Sequence, residues 1–223
     1  MGSISNHRPI LRFCTISIPV APQYVIMLLK IHTENPSPRH IKQVVDILRN
    51  GGIVIFPTDT IYGIGCDIRN SRAFEKLCQL RGVQPRKAKF SFLLSDLSHI
   101  SEYTLPFDRS VFKLLKQHLP GPYTFILNAN NTVPALFRSN RKTIGIRVPD
   151  NKIIAAIIEE LGSPLVSASL RDDFDSVAEY LSDPEEIYER FGNIVDIVID
   201  GGYGSNKAST VIDCTGDEPV EVR

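Results

Sequence analysis

No C-x-x-C pair occurs in the 223 residues: Cys14, Cys66, Cys78 and Cys214 are scattered, and His7, His32, His40, His99 and His118 show no zinc-ligand spacing. A structural zinc site and a disulfide framework are therefore not expected, and such cysteine usage suits a reducing cytoplasm. No apolar run approaches the ~18 residues that a membrane-spanning helix needs. Charge of one sign is missing too, because Lys+Arg and Asp+Glu both total 25, so nucleic-acid binding would have to rest on a local basic face. The nucleotide fingerprint G-x-x-x-x-G-K-[ST] is absent, as are a G-x-S-x-G elbow and an H-E-x-x-H helix. Ser167 or Ser169 in "VSASL" comes nearest to a hydrolase nucleophile, with no histidine assigned to it.

What is present is a 43% hydrophobic chain long enough to fill a core. Helical periodicity runs from Pro38 to Gly52, with Ile41, Val44, Val45 and Leu48 on one face, and again from Ser71 to Arg81 with Ala73, Phe74, Leu77 and Cys78 inward. "DRSVFKLLKQHL" predicts a helix capped by Asp108, "NKIIAAIIEELG" one ending at Gly162, and "SDPEEIYERFG" one capped at Ser182 or Asp183. Strands are expected at Ile53–Phe56 and in "KFSFLLSDL", "YTFIL", "TIGIRVP", "PLVSASL", "VDIVIDGG" and "STVIDC". The alternation indicates an α/β domain with one twisted, mixed parallel and antiparallel sheet and flanking helices. The short links in "YTFIL…TIGIRV" and "VDIVID…STVID" predict two antiparallel pairs. No repeat or linker divides the chain from about residue 28 to the end.

Residues 1–26 carry Arg8 and Arg12 but no acid and lead into no helical period. They read as an extension outside the fold: a transit segment, a weak signal peptide, or sequence upstream of a start at Met27.

Four features carry chemistry. "PTDT", with Thr58, Asp59 and Thr60, is either a proline turn whose polar side chains bond the backbone or one wall of a ligand cavity. Arg81, followed by Arg86, Lys87 and Lys89, is either a set of solvated charges or a set of phosphate ligands. Arg147 stands near the end of an otherwise apolar strand, where a cation needs an internal carboxylate or a bound anion. Ser167, Ser169, Ser209 and Thr210 put small hydroxyls on two strands, lining either a polar pocket or an exposed face.

In wording and order, "GGIVIFPTDTIYGIGCDI", "LPGPYTFIL", "TIGIRVP", "PLVS-S", "IDGG" and "STVID" resemble the YrdC/YciO-like family of L-threonylcarbamoyladenylate synthases, over about residues 28 to 223. Similar family members begin with a short strand like "LLKIH", which favours Met27 as the start of the fold. The resemblance implies condensation of L-threonine, bicarbonate and ATP, the last with Mg2+, into threonylcarbamoyl-AMP and pyrophosphate, supplying threonylcarbamoyladenosine in tRNA. Carried over by motif, Thr60, Arg147 and Ser209 would bind the threonine part, while Arg81, Thr124, Ser169 and Arg171 would serve the nucleotide. Catalysis would rest on positioning and charge neutralisation, with no covalent nucleophile and no protein-bound metal. The family's K-x-R reads Arg81-Gly82-Val83 here and its S-x-N reads Ser169-Leu170-Arg171, which places the chain nearest the YciO-like branch. The alternative implied by the same family is a non-catalytic module for double-stranded RNA, with Arg138, Arg141, Lys142, Arg147 and Arg171 on its basic face.

Overall fold

The computed structural model describes residues 27–134, 137, 142–170 and 180–223. The extension 1–26 and the side chains of Arg138, Arg141 and Arg171 lie outside the described residues. The elements in chain order are β1 (Leu28–Lys30), α1 (Pro38–Arg49), β2 (Val54–Phe56), β3 (Gly63–Asp67), α2 (Ser71–Leu80), β4 (Ser91–Leu93), α3 (Arg109–His118) and β5 (Tyr123–Asn128). They continue with β6 (Thr143–Arg147), α4 (Lys152–Leu161), β7 (Leu165–Ser169), α5 (Pro184–Phe191), β8 (Ile197–Asp200), β9 (Thr210–Asp213) and β10 (Val220–Glu221).

The helices start where the local chemistry allows. Asn151 accepts hydrogen bonds from the Ile153 and Ile154 N–H groups at the head of α4, Asn70 accepts from Ala73 N–H before α2, and Asp183 accepts from Glu185 N–H before α5. Asp108 occupies the cap position of α3 without a side-chain hydrogen bond there, so the expected cap is positional only. Ile41, Val44, Val45 and Leu48 are buried on α1, and Ile153, Ile154, Ile157, Ile158 and Leu161 on α4. Each such side chain contributes about 1.5–3 kcal/mol of burial free energy.

The strands form one ten-stranded mixed sheet in the order β1-β8-β2-β3-β7-β4-β6-β5-β9-β10. β5 and β6 pair antiparallel, as their short link predicts, with Phe125 opposite Ile146. The second predicted pair does not form. β8 lies parallel between β1 and β2, while β9 pairs parallel with β5 and antiparallel with β10. The glycine-rich link is thus a crossing, not a hairpin.

Its length dictates the shape of the sheet. β8 and β9 are seven places apart in the strand order, which on a flat sheet is about 34 Å at ~4.8 Å per strand. A ten-residue step reaches that distance only if fully extended, at about 3.3–3.6 Å per residue. The link turns at Gly202, whose φ of +89° is a left-handed conformation that glycine adopts without a Cβ penalty. The sheet must therefore curl, bringing its two halves together.

Two apolar layers flank it. Phe92, Phe125, Ile146 and Val166 project to one side and pack with α2, α3 and α5 around Phe74, Leu115 and Ile187. On the other side, α1 and α4 cover Val54, Phe56, Leu93, Leu165, Ile197 and Ile199. That second cluster takes no residue from β5 or β9. On the remainder of this side Gly145 and Thr124 stand beside Ile126 and Val211.

Candidate active site

The register across the central strands puts Gly65, Ser167, Ser91 and Gly145 in one row. Alternation then places Ser169, Arg147 and Thr124 on the same side, because residues two apart in a strand share a face. A Cβ on Gly145 would lie 3.0 Å from Ser91 Oγ and 3.3 Å from Thr124 Cγ2, so this floor has room for no larger side chain without displacement. Thr124 Oγ1 and Ser209 Oγ are 2.9 Å apart and buried. Arg223 reaches the same point from beyond β10, donating from Nε and Nη2 to the Ser209 carbonyl at 3.3 Å each and from Nη2 to Ser209 Oγ at 3.4 Å.

The "PTDT" loop folds over this surface. Thr58 Oγ1 donates to the Ile61 carbonyl at 2.7 Å and accepts from Thr60 N–H at 3.1 Å, which is the turn chemistry expected of it. Thr60 itself is buried, its carbonyl accepting from Ser205 N–H at 2.9 Å, while the Tyr62 hydroxyl donates to the Gly202 carbonyl at 2.7 Å. These bonds tie the loop to the 201–205 crossing. The turn reading of "PTDT" holds for Thr58, while Asp59 and Thr60 contact Arg147.

Arg147 Nη2 donates to Thr60 Oγ1 at 2.8 Å and forms an ion pair with Asp59 Oδ1. The Arg147 and Asp59 side chains are only 9% and 11% exposed. Burial pulls the Arg147 guanidinium below its ordinary value, the Asp59 carboxylate opposes that shift, and the neighbouring Arg223 adds to it. Arginine remains a cation throughout the physiological range. The internal-carboxylate reading of Arg147 is thus realised. The Arg147 guanidinium paired with Asp59, the Arg223 guanidinium on Ser209 and the hydroxyls of Thr60, Thr124 and Ser209 make a corner suited to an anionic group.

Five predicted residues, Thr60, Thr124, Arg147, Ser169 and Ser209, come to this face or the loop above it. Arg81 follows α2 as its C-cap, half-exposed, at the end of a helix packed on the other layer. Arg171 lies outside the described residues. Sequence reasoning gave Asp59 no partner and missed Arg223. The only signal for Asp59 was the need of Arg147 for an anion, and Arg223 carried none, since its place depends on β10 pairing with β9.

The Sua5/YciO/YrdC family model, described as "Telomere recombination", matches residues 46–223. The uncharacterized protein YciO of Escherichia coli is 45% identical over 194 residues, covering 86% of this chain and 92% of that protein. The chain belongs to the Sua5/YciO/YrdC family. The crystal structure of E. coli YciO superposes with a TM-score of 0.82 at 43% identity, covering 88% of this chain and 94% of that one. A threonylcarbamoyl-AMP synthase of Halorhodospira halophila is 27% identical over 175 residues, covering 78% of this chain and 90% of its own length. P. abyssi Sua5 complexed with L-threonine shares the fold, with a TM-score of 0.80 at 23% identity over 88% of this chain and 57% of that longer one. The higher identity to YciO than to the synthase agrees with placement in the YciO-like branch of the Sua5/YciO/YrdC family. The comparisons also bear out the single mixed sheet with flanking helices. Among the described residues no helix is long and apolar enough to cross a membrane.

Proposed function

We propose that this Sua5/YciO/YrdC protein condenses L-threonine, bicarbonate and ATP into threonylcarbamoyl-AMP, the precursor of threonylcarbamoyladenosine in tRNA, on the small-residue face of the sheet. The observation that carries the reading is the corner formed by Arg147, Thr60, Thr124, Ser209 and Arg223: one buried cation, Arg147, with the exposed Arg223 and hydroxyl donors beside it. Relatives named threonylcarbamoyl-AMP synthase and a fold relative holding L-threonine support it.

In this reading the threonine nitrogen bonds to the carbon of bicarbonate with loss of water, giving a carbamate. A carbamate oxygen then bonds to the α-phosphorus of ATP, and the bond from that phosphorus to the bridging oxygen breaks to release pyrophosphate. Arg147, Thr60 and Ser209 hold the threonine part, and Thr124, Ser169 and Arg171 serve the nucleotide, while Arg81, at the end of a helix on the other layer, takes no part. The protein supplies orientation and neutralises the charge that crowds at phosphorus. Mg2+ enters with ATP as part of the substrate. Among the described residues no group of three His, Cys, Asp or Glu side chains is placed to hold a metal.

Incubation with threonine, bicarbonate, magnesium and ATP should release pyrophosphate in a threonine-dependent way, and Arg147→Ala should abolish the release. The departure from K-x-R at Arg81-Gly82-Val83 favours the second reading, a non-catalytic module for double-stranded RNA in a cytoplasmic tRNA pathway. Salt-sensitive retention of RNA without pyrophosphate release would establish that reading in place of the first.

A further inference from the structure

Among the described residues, two buried side-chain polar atoms lack a hydrogen-bond partner, and both belong to one ion pair: Asp59 Oδ2 and Arg147 Nε. Native structures leave few such atoms, and each costs the desolvation of a polar group. A buried pair kept for stability would use both carboxylate oxygens, as a bidentate arginine–carboxylate contact does. Here Asp59 meets Arg147 through Oδ1 alone, leaving one acceptor on Asp59 and one donor on Arg147 without partners.

We propose that Asp59 is a specificity-determining residue, its carboxylate receiving the amino group of an α-amino-acid ligand whose carboxylate lies on Arg147. The inference rests on the threonine-binding reading above and adds which end of the ligand each partner takes. An α-amino acid brings an N–H donor and a carboxylate acceptor close together, matching the acceptor and donor left over. A phosphate brings acceptors only and would face the Asp59 carboxylate at close range, so this corner selects the amino acid and directs the nucleotide toward Thr124 and Arg223. The loop is held by Thr58 Oγ1 and by the Thr60 carbonyl, whereas the Asp59 side chain is held by Arg147, so a turn about its own side-chain bonds presents it to the ligand.

The test is calorimetric titration of the full chain with L-threonine and with 3-hydroxybutanoate, which keeps the carboxylate and hydroxyl but lacks the amino group. Wild type should bind threonine at least about tenfold more tightly, the size of one charge-assisted hydrogen bond. Asp59→Asn should shrink that ratio below about threefold while 3-hydroxybutanoate binding persists, which a merely structural role would not produce. Should the variant fail to fold, the wild-type ratio still decides. Equal binding of the two ligands by wild type overturns the assignment of Asp59 and leaves the synthase reading standing. Threonine binding with the expected ratio but no pyrophosphate release upholds Asp59 and overturns the catalytic reading; no binding of threonine overturns both.

Discussion

Removing either partner of the Asp59–Arg147 pair should destabilise the protein far more than any surface charge would. With side chains 9% and 11% exposed, the pair lies beyond the solvent screening that reduces exposed ion pairs to a few tenths of a kcal/mol. Asp59→Asn leaves the Arg147 guanidinium buried and beside Arg223, without its counter-charge, and Arg147→Met strands the Asp59 carboxylate. Breaking a buried pair by one partner costs about 3–5 kcal/mol. Because this pair already has an unpartnered atom on each side, the lower end, about 3 kcal/mol, is expected. At an m-value of about 2 kcal/mol/M in urea, the unfolding midpoint then falls by about 1.5 M. The double variant strands neither charge and should lose less than either single variant, far from the additive sum of about 6 kcal/mol. Equilibrium urea unfolding followed by circular dichroism measures all four proteins. Single variants losing under about 1 kcal/mol, or a double variant losing the full sum, would refute the picture of a buried, coupled pair.

Three further outcomes follow from the geometry. Thr124→Val deletes the 2.9 Å bond to Ser209 while keeping the shape of the side chain, and should cost about 1 kcal/mol in urea unfolding. Tyr62→Phe removes the 2.7 Å bond to the Gly202 carbonyl, and should cost about 1 kcal/mol and speed amide exchange in residues 201–205. Burial raises the Cys78 thiol to about 11, so the folded state holds that proton when the unfolded chain has begun to lose it. Stability from this group is complete below the ordinary thiol value of about 9 and declines as pH rises toward about 11; Cys78→Ala should flatten that decline in unfolding measured from pH 8 to 11.

Helices were the legible part of this chain. The periods around Ile41–Leu48 and Ile153–Leu161, bracketed by proline, asparagine and glycine, placed α1 and α4 within a few residues because those signals are local. Strand neighbours are not local. "VDIVID" and "STVID" read as a hairpin because nine residues separate Asp200 from Thr210, and nothing in them records that parallel pairing with β1, β2 and β5 pulls the two strands apart. The same limit applies to the site. Thr60, Arg147 and Ser209 could be named from residue type and motif order, whereas the contact of Arg223 with Ser209 exists only through the pairing of β10 with β9. Arg147 shows the middle case. A cation in an apolar strand demands an anion, but which anion, Asp59 of a loop 88 residues away, is a fact of tertiary packing.

The most direct test of the account is the product itself. Protein supplied with L-threonine, 13C-bicarbonate, ATP and magnesium should yield a species with the mass of threonylcarbamoyl-AMP carrying one 13C, with one pyrophosphate formed per product. Its absence under conditions where the folded protein binds both threonine and ATP would contradict the synthase reading.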